Sequence, residues 1–211
     1  FKRLVLRLQQ GRNKLQHKLI KSIDRLETGG ELQIMEQAFS GMMLTLPDQP
    51  VFSTALYRLA WETIVQRLQD MKSYEIFIED INNTEELHAM RIMAKKLRYS
   101  IEIFSPLYQS ELKTYLQTAR QIQDFLGGIH DCEVWLVYLP VFIEKEKKRI
   151  IDFYGTPRGF RSLEAGINYF IQNRQEKRNI LYNDFTIAWR DWQQQDIWQK
   201  LITEVKLPLF Y

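Results

Sequence analysis

Apolar residues return every three or four positions along almost the whole chain, and the pattern lapses only at short clusters of glycine and proline. These clusters are Gly29-Gly30, Pro47 with Pro50, Gly127-Gly128 and the stretch GTPRG at 155–159. A return of three to four is the helical period, and Gly and Pro are the residues that interrupt it. The pattern predicts an all-α fold of long-helix bundles, with helices over about 2–27, 31–45, 52–80, 84–104, 109–126, 130–149 and 160–191, and a short one near 195–204.

The helix over 84–104 has the clearest start, because Asn83 is followed three residues later by Glu86, the spacing of a capping box. Met90, Met93, Leu97, Ile101 and Phe104 form one apolar stripe along it. His88, Arg91, Lys95, Arg98 and Glu102 fall within ~80° of one another on the other side, at about 100° of rotation per residue. Lys96 lies toward the edge of that group. An exposed helix usually alternates acids with bases four residues apart, whereas here Glu102 is the one acid of the stripe and stands at its end. Unrelieved repulsion of this kind points to an anionic ligand outside the chain. Arginine offers phosphate oxygens a planar pair of donors, lysine a mobile point charge, and histidine a donor that gains charge in mild acid. A regular ladder of cations suits a repeating polyanion better than one small phosphate ester. The competing reading is a solvated outer face.

The first helix repeats the theme, with Arg3, Arg7, Lys14, Lys18, Lys21 and Arg25 within ~60° of one another opposite Leu4, Leu8, Leu15, Leu19, Ile23 and Leu26. For this stripe a solvated face is the ordinary reading. Arg12 differs, because it projects among Leu8, Leu15 and Leu19 on the side predicted to be buried. Arg174 does the same among Ile167, Phe170, Leu181 and Phe185. A guanidinium cannot shed its charge, so a buried one requires an acid partner or a bound anion. Residues 5–23 and 167–185 also match in pattern, pairing Val5 with Ile167, Leu8 with Phe170, Arg12 with Arg174, Leu19 with Leu181 and Ile23 with Phe185. An internal duplication follows, with 1–80 as the remainder of a first half and 81–211 as a second half. The first copy's counterpart of the 84–104 helix is then expected to precede Phe1.

Composition narrows the function classes. The 211 residues carry 29 Lys and Arg against 26 Asp and Glu, a net charge of only +3, so placement of charge matters more than its total. A single cysteine, Cys132, gives no support to an oxidising compartment, and a cytoplasmic location is expected. The longest apolar run, WLVYLPVFI at 135–143, contains a proline and falls short of the ~20 residues of a membrane helix, so no membrane partner is expected. Neither GxxxxGK[ST], GxSxG nor HExxH occurs. His130-Asp131 raises a metal-dependent His-Asp phosphohydrolase, which would need His88, His130, Asp131 and a further acid such as Asp152 or Asp184. A helical module for nucleic acid or an acidic protein is the other alternative. However, Trp61, Trp135, Trp189, Trp192 and Trp198 sit at core spacing rather than as a stacking platform.

The stretches LHAMRIMAKKLRYSIEIF (87–104) and QIQDFLGGIHDCEV (121–134) together resemble the second-repeat signature of the CHAD domain, the conserved histidine α-helical domain. The likeness rests on His88, Arg91, Lys95, Arg98, Tyr99 and Glu102, then Gln123, Leu126, Gly127 and Asp131. The resemblance implies two helical bundles related by a pseudo-twofold, with a basic channel between them that binds inorganic polyphosphate without catalysis or cofactor. It also implies association with polyphosphate granules and, for many members, with a CYTH-type triphosphatase. Carried onto this chain, it implies that His88, Arg91, Lys95 and Arg98 line the channel. Arg12 and Arg174 would add to it from the third helix of each half, and Arg120 would sit at its margin. His130 occupies a position that the family does not fix.

Overall fold

The structure, a computed structural model, describes residues 2–43, 52–108 and 111–209. The described residues are almost wholly helical and contain no strand: seven α-helices, with short 3-10 turns between some of them. They form two compact units, Phe1–Val51 and Phe52–Tyr211.

The N-terminal unit is a pair of helices, α1 (Lys2–Thr28) and α2 (Glu31–Met43). Gly29 N–H closes α1 on the Arg25 carbonyl at 2.8 Å. Gly30 then takes φ 82°, a left-handed conformation that a Cβ disfavours, and α2 starts from it. Leu4 is the one buried residue of α1 among those described. Leu8, Leu15, Leu19, Ile23 and Leu26 are exposed, and so is Arg12. The expectation that Arg12 is a buried ion is therefore corrected. An apolar stripe buries its residues only where other helices enclose it, and one neighbouring helix does not enclose a stripe of this width.

The C-terminal unit contains α3 (Thr54–Lys72), α4 (Thr84–Phe104), α5 (Lys113–Tyr154), α6 (Phe160–Gln194) and α7 (Ile197–Lys206). Helix α3 starts where Ser53 accepts from the backbone N–H of Leu56, and it buries Ala60, Ile64, Leu68 and Met71 at helical spacing. Helix α4 answers with Leu87, Met90, Ala94, Leu97 and Ile101. Helices α5 and α6 add Ala119, Ile122, Leu126, Ile129, Phe185, Trp189 and Trp192, and α7 adds Trp198, Leu201 and Val205. Helix α3 thus shares a core with the motif helix, and the boundary between compact units falls at Val51, whereas the duplication places its boundary near residue 80.

Two local expectations are corrected. Asn83 stands at the N-terminal boundary of α4 but makes no capping bond; its side-chain amide donates to the Phe77 carbonyl at 3.1 Å, anchoring the preceding 3-10 turn. Gly127-Gly128 do not end a helix. They lie inside α5, which runs unbroken through 42 residues and through Pro140. A Cβ on Gly128 would stand 2.8 Å from Leu181 Cδ1 of α6, so the missing side chain allows close packing rather than a turn. As one helix, α5 is also long and apolar enough to cross a membrane, which its two shorter predicted pieces were not. In this fold it supplies buried residues, including Ile129, Leu139, Phe142 and Ile150, along nearly its full length.

Candidate anion-binding site

Helix α5 runs back along α4, which brings Gln123 beside Arg98, Gly127 beside Arg91, and His130 beside His88. The buried stripe of α4 fixes which way these cations turn. His88, Arg91 and Arg98 are half-buried at the edge of the α4–α5 seam, and Lys95 is exposed between them. Arg98 Nε donates to Gln123 Oε1 at 2.9 Å and Nη1 pairs with Glu102 at 3.2 Å. Its guanidinium also lies 4.4 Å from the Tyr99 ring centre, with Lys95 Nζ at 5.7 Å from the same ring. Tyr99 thereby holds two cations side by side. Arg91 lies against the backbone of α5, where a Cβ on Gly127 would stand 3.3 Å from its Nε.

Among the described residues, His88 Nδ1, Arg91 Nε and Arg174 Nε are buried without a partner; Trp61 and Trp198 indole nitrogens share that condition. Native proteins keep such groups few, because each costs about 1–3 kcal/mol and more when the group is charged. His88 is held below its ordinary pKa by burial first, then by the nearby His130 and Arg91. Its environment thus opposes a further positive charge.

Arg174 sits on α6 with its guanidinium 4.9 Å from the Phe170 ring centre and Nη2 donating to Asn173 at 2.6 Å. No acid neutralises it among the described residues. Arg12 belongs to the N-terminal unit. Arg120 is exposed and lines a separate cavity of about 480 Å³ with Asp124, Trp192 and Gln195. The structure therefore brings His88, Arg91, Lys95 and Arg98 together on one helix edge, sets Arg174 on another helix, and places Arg120 in a different hollow.

Three further residues belong to this neighbourhood. The His130 ring packs on His88 with centroids 4.1 Å apart. His130 Nδ1 lies 4.0 Å from Glu133 Oε2, and Glu133 Oε1 in turn accepts from Arg178 Nη2 at 3.1 Å and Nε at 3.2 Å. Arg178 Nη2 also donates to the Ile81 carbonyl at 2.6 Å. Arg178 is one turn beyond Arg174, so the spacing that singled out Arg174 also carries Arg178 on the same helix face. His88 and His130 open onto a hollow of about 780 Å³ whose other walls include Glu85, Glu133, Val137 and Tyr138. Asp131, the acid that a His-Asp metal site needs, is exposed, and no three His, Cys, Asp or Glu side chains among the described residues are grouped to hold a metal ion.

Comparison with known proteins gives one result. The family model described as the CHAD domain matches residues 1–140, a span that includes His88, Arg91, Lys95, Arg98, Gln123 and Gly127 and stops short of Arg174. No curated protein matches the chain. No solved structure matches it either. The match covers well over half of the sequence and includes both stretches that carried the resemblance, and the chain belongs to the CHAD-domain family.

Proposed function

We propose that this protein binds inorganic polyphosphate non-covalently, as a binding module without turnover, along the α4 edge formed by His88, Arg91, Lys95 and Arg98. The observation that carries this reading is the pair of buried, partnerless nitrogens, Nδ1 of His88 and Nε of Arg91, one turn apart, with no carboxylate paired to Arg91 among the described residues. A phosphate chain presents acceptor oxygens at a regular repeat, which suits successive donors on successive helical turns. Membership of the CHAD family supports the same ligand. Arg174 is a further contact from α6, while Arg12 and Arg120 stand outside this edge and the site does not depend on them. Cytoplasmic polyphosphate granules and a CYTH-type triphosphatase are the location and companion that fit such a module.

The test is charge reversal at two positions, Arg91→Glu with Lys95→Glu. The expected result is loss of long-chain polyphosphate retention with helix content by circular dichroism unchanged. Retention equal to the parent protein would sink the assignment. Phosphate release from polyphosphate by the parent protein would instead favour a hydrolase, and preference for DNA over polyphosphate at moderate salt would favour a nucleic-acid module.

A further inference from the structure

The cation track ends in two histidines, His88 on α4 and His130 on α5. The His88 and His130 rings lie 4.1 Å apart and tilted by 33°. Two imidazolium ions cannot share that space without strong repulsion, so charging one ring opposes charging the other. The charged groups around them are unequal. His130 has the Glu133 carboxylate at 4.0 Å, and Glu133 is fixed in place by Arg178 from α6. His88 has Arg91 one turn along α4, while Glu85 lines the same hollow one turn before it. Added charge on His88 is thus opposed by its burial, by the second imidazole and by the Arg91 guanidinium, and its buried Nδ1 has no partner.

We propose that His130 is a positioning residue of the anion site, which, stacked on His88 and backed by Glu133, adds to burial in keeping a proton off His88 until a bound phosphate chain draws one onto it. This rests on the polyphosphate reading. The proton comes from solvent and adds to the His88 imidazole; no other bond changes. The sign of the linkage follows. The bound polyanion stabilises the charged form of His88 and raises its pKa, so affinity increases as pH falls between the bound and free values and is flat well above both.

Two measurements test this. In the ligand-free protein, imidazole proton resonances followed by NMR should show His88 titrating below the ordinary histidine range. In His130→Phe, which keeps a ring in the stack but no titratable group, the His88 midpoint should rise by roughly 0.5–1 pH unit. His130→Asn removes the imidazole and leaves a smaller side chain, and should move the midpoint in the same direction. Calorimetry with long-chain polyphosphate at pH 6, in two buffers of different ionisation enthalpy, should show net proton uptake that is abolished in His88→Asn and reduced in His130→Phe. An unmoved His88 midpoint in both His130 variants overturns the pairing. Binding without proton uptake overturns the linkage and leaves the polyphosphate reading standing. A protein that retains no polyphosphate at any pH overturns that reading and the linkage together, and the NMR titration still decides the pairing.

Discussion

A Cβ built on Gly127 would stand 3.3 Å from Nε of Arg91, and nothing else crowds that position. The glycine lies in the interior of α5, where it costs helix stability. Its absent side chain leaves room for the guanidinium of α4 to lie against the α5 backbone.

Substitution at this position separates stability from binding. Gly127→Ala gains roughly 0.5–1 kcal/mol of helix propensity and displaces Arg91 by a few tenths of an ångström. The expected outcome is a melting temperature equal to or above the parent's together with weaker polyphosphate retention. Gly128→Ala is the contrasting variant, because the added methyl meets Leu181 Cδ1 at 2.8 Å and strains the α5–α6 contact. That variant should lose stability and keep its affinity relative to the folded fraction. Equal retention by Gly127→Ala and parent would show that the Arg91 position is not set by the glycine.

Binding should fall steeply with salt, since a polyanion releases its counterions when cations replace them. For the three fixed cations Arg91, Lys95 and Arg98, the single-strand value of about 0.7 per contact gives a slope of roughly −2 in a log–log plot of affinity against salt. Lys95→Ala should reduce the steepness by about 0.7. A slope that Lys95→Ala leaves intact would remove Lys95 from the contact set, exposed though it is.

The Arg178–Glu133 pair is largely buried, and Arg178 is only 7% exposed. Removing one partner strands the other's charge, which typically costs about 3–5 kcal/mol, whereas replacing both with apolar residues is often neutral. Arg178→Ala should therefore lower the denaturant midpoint sharply, and Arg178→Met combined with Glu133→Leu should restore much of the loss. If the double variant is no more stable than Arg178→Ala, the pair does more than neutralise itself, for instance by holding the loop carbonyl of Ile81.

Much of this is legible in the sequence. The α4 stripe of Met90, Leu97 and Ile101 is buried as its spacing requires, so the opposite placement of His88, Arg91 and Arg98 followed from helical phase alone. What failed depended on a second helix. Gly127-Gly128 read as a break because local propensity favours one, and only the approach of Arg91 and Leu181 from other helices explains two glycines inside α5. Arg12 looked buried on a helical wheel, yet a wheel does not show whether neighbouring helices enclose its apolar face. His130 reads as a metal ligand beside His88 and Asp131, whereas it packs on His88 as a ring and its nearby acid is Glu133, one turn along α5, and not the exposed Asp131.

Glu102 offers a final test of how the track is balanced. Its carboxylate sits 3.2 Å from Arg98 Nη1 and its side chain is 48% exposed, so the pair contributes little to stability. Glu102 nevertheless competes with any anion for the Arg98 charge, while Gln123 independently fixes Arg98 Nε. Removing the acid should leave the guanidinium in place and free its charge. At about 4 Å in water a charge pair is worth about 1 kcal/mol, so Glu102→Gln should tighten polyphosphate binding roughly five-fold and leave the melting temperature nearly unchanged. Binding that weakens instead would mean that Glu102 orients Arg98 toward the ligand, and Gln123→Leu would then be expected to have little effect on affinity.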